Sequence, residues 1–171
     1  MKYTWVDYCS AFTSDVEALF DSEAVEFTGC DDGFFAFYDY WKRELPDGEL
    51  FAKVIYDGSE LIGVVSLARA EAGVFTVQEL VIAAEHRGEG LGTAVIKELL
   101  DNATAIIGEE ILSAEAVVFP KNIAGQRAFM KAGFMEISTK IPLDNFFKGN
   151  IELINNFIMA LTEEQIKEAF E

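Results

Sequence analysis

The stretch Gln78-Glu79-Leu80-Val81-Ile82-Ala83-Ala84-Glu85-His86-Arg87-Gly88-Glu89-Gly90-Leu91-Gly92-Thr93 passes from an apolar run through a short polar turn into the start of an amphipathic helix. Glycines at 88, 90 and 92 leave the N–H groups of the turn unshielded, because no Cβ stands between the backbone and a ligand. The first N–H groups of the following helix have no partner within it, and the aligned peptide dipoles add partial positive charge there. Strand, turn and helix start together predict a cradle for a pyrophosphate. The alternative is a glycine-rich surface turn that binds nothing.

Two better-known phosphate loops fail on single residues. A Walker-type loop requires Lys and then Ser or Thr after its last glycine, whereas Thr93-Ala94 follows Gly92. The dinucleotide fingerprint requires a glycine at 93, which is Thr93. What remains, Arg87-Gly88-Glu89-Gly90-Leu91-Gly92 after a hydrophobic strand, resembles the acyl-CoA loop of the GCN5-related N-acetyltransferases, Gln/Arg-x-x-Gly-x-Gly/Ala. Downstream, Asn122-Ile123-Ala124-Gly125-Gln126-Arg127-Ala128-Phe129-Met130-Lys131-Ala132-Gly133-Phe134 resembles the closing motif of the same family, an Asn that opens a helix ending in Lys-x-Gly-Phe. The resemblance runs from about Phe51 to Thr162; before Phe51 it extends only to general helical character.

The resemblance implies an α+β fold: one N-acetyltransferase domain over residues 1–171, with a mixed, mostly antiparallel central sheet splayed at the acyl-CoA loop and flanked by helices. It implies acetyl-CoA as co-substrate and transfer of its acetyl group to a primary amine of a small molecule or peptide, by direct attack in a ternary complex. A non-catalytic acyl-CoA-binding sensor or scaffold of the same fold is the alternative. The cofactor site implied comprises Leu80, Val81 and Ile82 through their backbone N–H groups, Arg87, Gly88, Glu89, Gly90, Leu91, Gly92 and Thr93 in the loop, and Asn122 and Phe129. Asn122 has a second reading as the cap of its helix. A carboxylate beside a pyrophosphate repels it, so Glu89 is expected to turn its side chain to solvent. Lys131 reads as an ordinary surface charge.

Transfer to an amine needs a base, since an alkylamine with a pKa of about 10.4 is protonated at neutral pH. It also gains from a donor aimed at the oxygen where negative charge develops. Ile82 N–H is the implied donor and Glu79 the first candidate base, against the reading of Glu79 as a carboxylate on a sheet surface. Glu115 is the second candidate, although the family often carries that acid two positions later, where this chain has Val117. Histidine is the residue type suited to proton transfer near neutral pH, but His86 sits on the phosphate side of the loop. Phe129 stands where the family commonly has a tyrosine that protonates the departing thiolate.

Composition narrows the partners. The 171 residues carry 30 Asp and Glu against 13 Lys and Arg, a net charge of −17, which disfavours nucleic acid and anionic membranes and would draw in a cationic amine acceptor; the alternative, that an acidic surface mainly keeps the protein in solution, is the stronger reading of the charge taken by itself. No run of about 18 apolar residues suggests a membrane span, and two cysteines with one histidine offer no metal spacing. A cytoplasmic protein is expected. Oligomeric state is left open, a homodimer included.

Along the chain, Thr4 to Tyr8 reads as a strand, Ser14 to Phe27 as one helix begun by a capping box at Ser14-Asp15-Val16-Glu17, and Phe34 to Leu45 as an aromatic helix. Strands follow at Leu50 to Tyr56, Glu60 to Arg69 and Val74 to Ile82, the first two around the turn Asp57-Gly58-Ser59. The remaining elements are a helix from Leu91 to about Ala103, a strand from Ile111 to Phe119 and a helix from Ile123 to Lys131. Strands at Phe134 to Ile141 and Asn156 to Leu161 and a helix from Thr162 complete the chain. The acceptor pocket is expected from the N-terminal helices and segment 142–155.

Overall fold

Strands β2 (Leu50–Asp57) and β3 (Glu60–Glu71) form a hairpin closed by Gly58 at φ 61°, a left-handed conformation that costs glycine little. The computed structural model describes residues 1–28, 34–118, 122–136 and 156–159. With β1 (Thr4–Asp7), β4 (Val74–Ile82), β5 (Ser113–Val118), β6 (Met135–Glu136) and β7 (Asn156–Met159), the hairpin makes a sheet of order β1-β2-β3-β4-β5-β7-β6. Pairing is antiparallel from β1 to β4 and parallel from β4 onward. The expected mixed sheet is therefore present. The end of the strand expected to Ile141, segment 142–155 and the C-terminal helix lie outside the described residues.

Both faces of the sheet are covered. On one face, Val95, Ile96 and Leu99 of α4 (Leu91–Asp101), Ile106 and Ile107 of α5 (Ala103–Ile107) and Phe129 of α6 (Ile123–Ala132) pack on Val65, Leu67, Phe75, Val77 and Ala116. On the other, Val16 and Leu19 of α1 (Thr13–Leu19), Ala24 of α2 (Ser22–Thr28) and Phe34 and Trp41 of α3 (Phe34–Glu44) pack on Ala52, Val54, Val64 and Val81. Alternation along the strands divides these side chains between the faces.

Two expected helices are broken in the structure. The single helix read over Ser14 to Phe27 is two, broken where Phe20 leaves the helical region at ψ 68°. The capping box does not form: α1 starts at Thr13 without a side-chain cap. Asp21 instead starts α2, its Oδ1 accepting the Ala24 N–H at 2.9 Å, because an acceptor one residue before a first turn satisfies an otherwise unpaired donor. The helix expected to run to Ala103 breaks at Asn102, at φ −129°, and α5 follows. Among the described residues no helix is long and apolar enough to cross a membrane.

Candidate active site

The site begins with a fault in the ladder. Ser66 pairs with Glu79 and Leu67 with Val77, so Gln78 is an extra residue in β4, a bulge that re-aims the side chains beyond it. Before the bulge, Phe75 and Val77 face α4 and α6. After it, Val81 faces α1 and α3, and Leu80 and Ile82 face α4. Parallel pairing between β4 and β5 also ends here, at Val77 with Ala116, although β4 runs on to Ile82 and β5 to Val118. The strands part and leave a cleft of about 550 Å³.

The open edge of β4 carries amides into this cleft. Ala83 N–H donates to Ile62 O at 3.0 Å across β3, so by strand alternation Ile82 and Leu80 direct their N–H groups the other way, toward the parting of the strands. The same alternation turns the Val81 N–H toward β3. Of three amides expected at the cleft, two face it.

At the mouth, Gly88 and Gly90 adopt φ 82° and 85°, and a Cβ built on either would meet nothing within 4 Å. The space above the loop is open. Gly90 is the cap residue of α4 and offers no side chain, and the first intrahelical bond is Ala94 N–H to Gly90 O at 3.1 Å. The N–H groups of Leu91, Gly92 and Thr93 are therefore left for a ligand. This cradle and the two strand amides fit a pyrophosphate and the amide-bearing arm attached to it. Glu89 is exposed and absent from the cleft lining, as expected of a carboxylate there; the Leu91 side chain packs into the core.

Asn122 and Phe129 line the cleft from α6. Asn122 Oδ1 caps that helix, accepting the Gly125 N–H at 2.8 Å. A Cβ at Gly125 would fall 2.7 Å from Asn122 Nδ2, so glycine keeps room for the cap. Phe129 is buried edge-on against Phe134, ring centres 4.9 Å apart. Lys131 lies at the cleft edge, its residue exposed.

Glu79 is not the sheet-surface carboxylate of the alternative reading. The bulge turns it toward α3, where its Oε2 accepts a hydrogen bond from the Ser66 hydroxyl and Trp41 lies against it, both neighbours fully enclosed. Burial pushes the Glu79 carboxyl up to about 8, opposed by the nearby Trp41 indole N–H, which makes no well-formed hydrogen bond among the described residues. The residue still lines the cleft. Beside it, Tyr40 Oη donates to Gln78 Oε1 at 3.4 Å. Glu115 is buried on β5 opposite Thr76. His86 Nε2 lies 3.1 Å from Glu60 Oε1 on the loop side of the cleft.

Arg87 lines the cleft, but its guanidinium is engaged by protein acceptors. Nη1 donates to both oxygens of Asp21, at 3.0 and 2.8 Å, and to Glu23 Oε2 at 3.0 Å, while Nε donates to Ile82 O at 2.8 Å. Two carboxylates, one just before α2 and one in its first turn, hold it by charge-assisted hydrogen bonds. That ties the loop to α2, whose Glu23, Ala24, Phe27 and Thr28 form a cleft wall. The sequence pointed to the N-terminal helices as pocket walls without saying which residues, and it did not show the enclosure of Glu79 by Ser66 and Trp41; Asp21 just before Ser22-Glu23-Ala24 was the available signal for the second helix.

Residues 16–134 match the family described as Acetyltransferase (GNAT), so the match starts well before the Phe51 at which the motif resemblance begins. No curated protein matches the chain in sequence. Among solved structures, spermidine N-acetyltransferase from Vibrio cholerae in complex with CoA and spermine superposes with a TM-score of 0.66 at 17% identity, over 82% of this chain and 85% of that one. An aminoglycoside acetyltransferase in complex with coenzyme A superposes with a TM-score of 0.64 at 21% identity, over 78% and 84%. At these identities the likeness is one of fold.

Proposed function

The chain belongs to the acetyltransferase (GNAT) family, N-acetyltransferases with acetyl-CoA as co-substrate, and from that membership we propose that it acetylates a primary amine of a cationic small molecule or peptide by direct attack in a ternary complex. The observation that carries this reading is the parting of β4 from β5 beyond Val77, which brings two strand amides, the glycine cradle and Glu79 to one cleft.

Bound acetyl-CoA supplies the acetyl group as a thioester. The N–H groups of the loop and of the first turn of α4 would hold its pyrophosphate, and those of Leu80 and Ile82 its pantetheine arm. Ile82 N–H would also donate to the oxygen on which negative charge builds. Glu79 takes the proton from the acceptor nitrogen. A carboxyl near 8 lies closer to an alkylammonium at about 10.4 than an ordinary carboxyl does, so the transfer is less uphill. Turnover then rises with pH toward 8 as Glu79 ionises. The net charge of −17 draws a cationic acceptor, and the spermidine and aminoglycoside acetyltransferases of like fold act on such amines.

The test is release of free thiol from acetyl-CoA with polyamines, aminoglycosides and peptide N-termini, with the product identified by mass. Phe129, which has no hydroxyl to protonate a thiolate, is the observation behind the second reading, a binding module. Calorimetric binding of acetyl-CoA without thiol release from any amine would select that reading.

A further inference from the structure

Ser66 lies opposite Glu79 in the β3–β4 register, on the face of the sheet that α1 and α3 cover, with none of its surface exposed. A hydroxyl so enclosed requires a partner, because burying it unpaired costs several times what a surface hydroxyl loses. The partner is Oε2 of Glu79. The pairing exists because of the bulge: without the extra residue at Gln78, a one-residue slip would send the Glu79 side chain to the α4 face and leave Ser66 opposite another residue.

We propose that Ser66 is a positioning residue for the proton-transfer step, its buried hydroxyl anchoring one oxygen of the Glu79 carboxyl so that the group is held in one rotamer at the cleft where the acceptor amine gives up its proton. The assignment rests on Glu79 as the base. Glu79 has two jobs that conflict. It must be enclosed enough to hold a proton near neutral pH, and it must present an oxygen to the amine.

Ser66 reconciles them in both states. Toward the ionised carboxylate the hydroxyl donates; once Glu79 carries the proton, the hydroxyl oxygen remains available as an acceptor. Trp41 N–H can only donate, so it favours the ionised form alone. Other titratable groups around Glu79 are Tyr40 on α3, whose phenol is raised by burial and by the charges of Glu44 and Glu79, Glu23 and Arg87 at the cleft wall, and Glu115 across β4 on β5. Burial raises the Glu79 carboxyl and the Trp41 N–H works against it, and the Ser66 hydroxyl is the further donor to its charged form.

Two readouts separate positioning from mere packing. In the cofactor-free protein, the Glu79 carboxyl is followed by 13C NMR against pH in wild type, Ser66→Ala and Ser66→Thr. Loss of a donor to the charged form should move the Glu79 titration of Ser66→Ala upward by half a pH unit or more, and Ser66→Thr should restore it. In thiol-release assays, Ser66→Ala should lower turnover about tenfold, with the acid limb shifted the same way and acetyl-CoA affinity unchanged, and should cost nothing further in a Glu79→Gln background. The near-isosteric pair Ser66→Thr and Ser66→Val, differing in the hydroxyl alone, makes the same comparison should alanine unfold the strand. A Ser66→Ala titration and pH–rate profile superimposable on wild type, with Glu79→Gln still impaired, overturns the role of Ser66. Full activity in Glu79→Gln overturns the base itself, and with it this proposal.

Discussion

Asp21 clamps Arg87: both carboxylate oxygens accept Nη1, at 3.0 and 2.8 Å, while Oδ1 also caps α2 through the Ala24 N–H at 2.9 Å. One carboxylate thus links the glycine loop to the start of a helix that walls the cleft. Its backbone bond to Ala24 is the main reason its carboxyl sits below the usual range, with Arg87 adding to it. Asp21→Ala should destabilise the protein by about 0.5–2 kcal/mol for the cap alone, and Asp21→Asn, which still caps, by less. Melts at neutral pH in the two variants make the comparison; equal losses would mean that the cap contributes little. Because the folded carboxyl is depressed, its contribution is present above the unfolded value of about 3.8 and is lost as pH falls through the folded one.

Glu79→Gln should lower turnover by about 10²–10⁴-fold, the usual loss for a single base, and leave acetyl-CoA binding in place. Its stability should move the opposite way. The folded carboxyl titrates at about 8 against an ordinary 4.5, so the native state binds its proton more tightly and wild-type stability falls as pH rises between those values. Glutamine mimics the neutral form. The melting temperature of the variant relative to wild type should therefore climb from pH 5 to 8 and level off above; a flat difference would mean that Glu79 is not held neutral.

Glu98 holds the N-terminal strand to α4. Its Oε2 accepts Lys2 N–H at 2.7 Å, and its Oε1 accepts Tyr3 N–H at 2.9 Å and Trp5 Nε1–H at 3.1 Å. Burial works to raise this carboxyl, but the backbone donors of Tyr3 and Lys2, with Trp5, outweigh it and leave it below 4.5. Glu98→Ala strands these donors and should cost about 1–3 kcal/mol near pH 7. The difference from wild type should shrink as pH falls below 4.5, where the unfolded chain and then the native one take up the proton. Denaturant titrations at pH 7 and pH 4 read both effects.

Much of this was legible, and the gaps share one cause. Val74–Ile82 was expected with the ends it has, because a β-rich run is bounded by Gly73 and a polar turn, and the glycine loop announces itself by local conformation. The bulge at Gln78 does not, since an extra residue is defined only against the register of β3. Glu79 could be read as a base or as a surface acid, and the side chains that enclose it, Ser66 and Trp41, lie 13 and 38 positions away. Arg87 was expected at a phosphate for the same reason: Asp21 and Glu23 are remote in sequence, and charge patterning does not show which acids fold back onto a loop.

Gly90→Val should abolish the stabilisation by acetyl-CoA, roughly 2.7 kcal/mol at a hundred times its dissociation constant. The side chain would fill the open space above the cradle, where nothing of the protein lies within 4 Å. Strain must be told apart from blockage, because φ is 85° at Gly90 and valine there costs about 1–2 kcal/mol. Gly48 offers the control, with φ 74° and equally open surroundings away from the loop. Gly48→Val should lower the melting temperature similarly and keep the full ligand shift. Loss of the shift in both variants would point to general destabilisation instead of the cradle.

Phe129→Tyr tests how the departing thiolate gains its proton. Phe129 lines the cleft but is only 7% exposed and packs edge-on against Phe134, so a hydroxyl added at its para position must either reach the cleft or be buried without a partner, which is costly. Melting temperature distinguishes these: a stable variant means that the hydroxyl finds the cleft. The thiol of CoA has a pKa near the cysteine value of about 8.5, so its thiolate leaves readily at neutral pH. Under the proposed mechanism Glu79 has taken a proton from the acceptor, and titrating near 8 it is matched to return one to the thiolate. With a donor already available, tyrosine should change turnover by less than tenfold in thiol-release assays on a good acceptor. A larger gain, worth more than about 1.4 kcal/mol of barrier, would mean that leaving-group protonation limits the wild-type enzyme and that Glu79 does not supply it. The double variant Phe129→Tyr with Glu79→Gln separates the two protons: if Glu79 serves as both base and acid, tyrosine should recover only the acid's share of the loss, and the acid limb of the pH–rate profile assigned to Glu79 should stay absent.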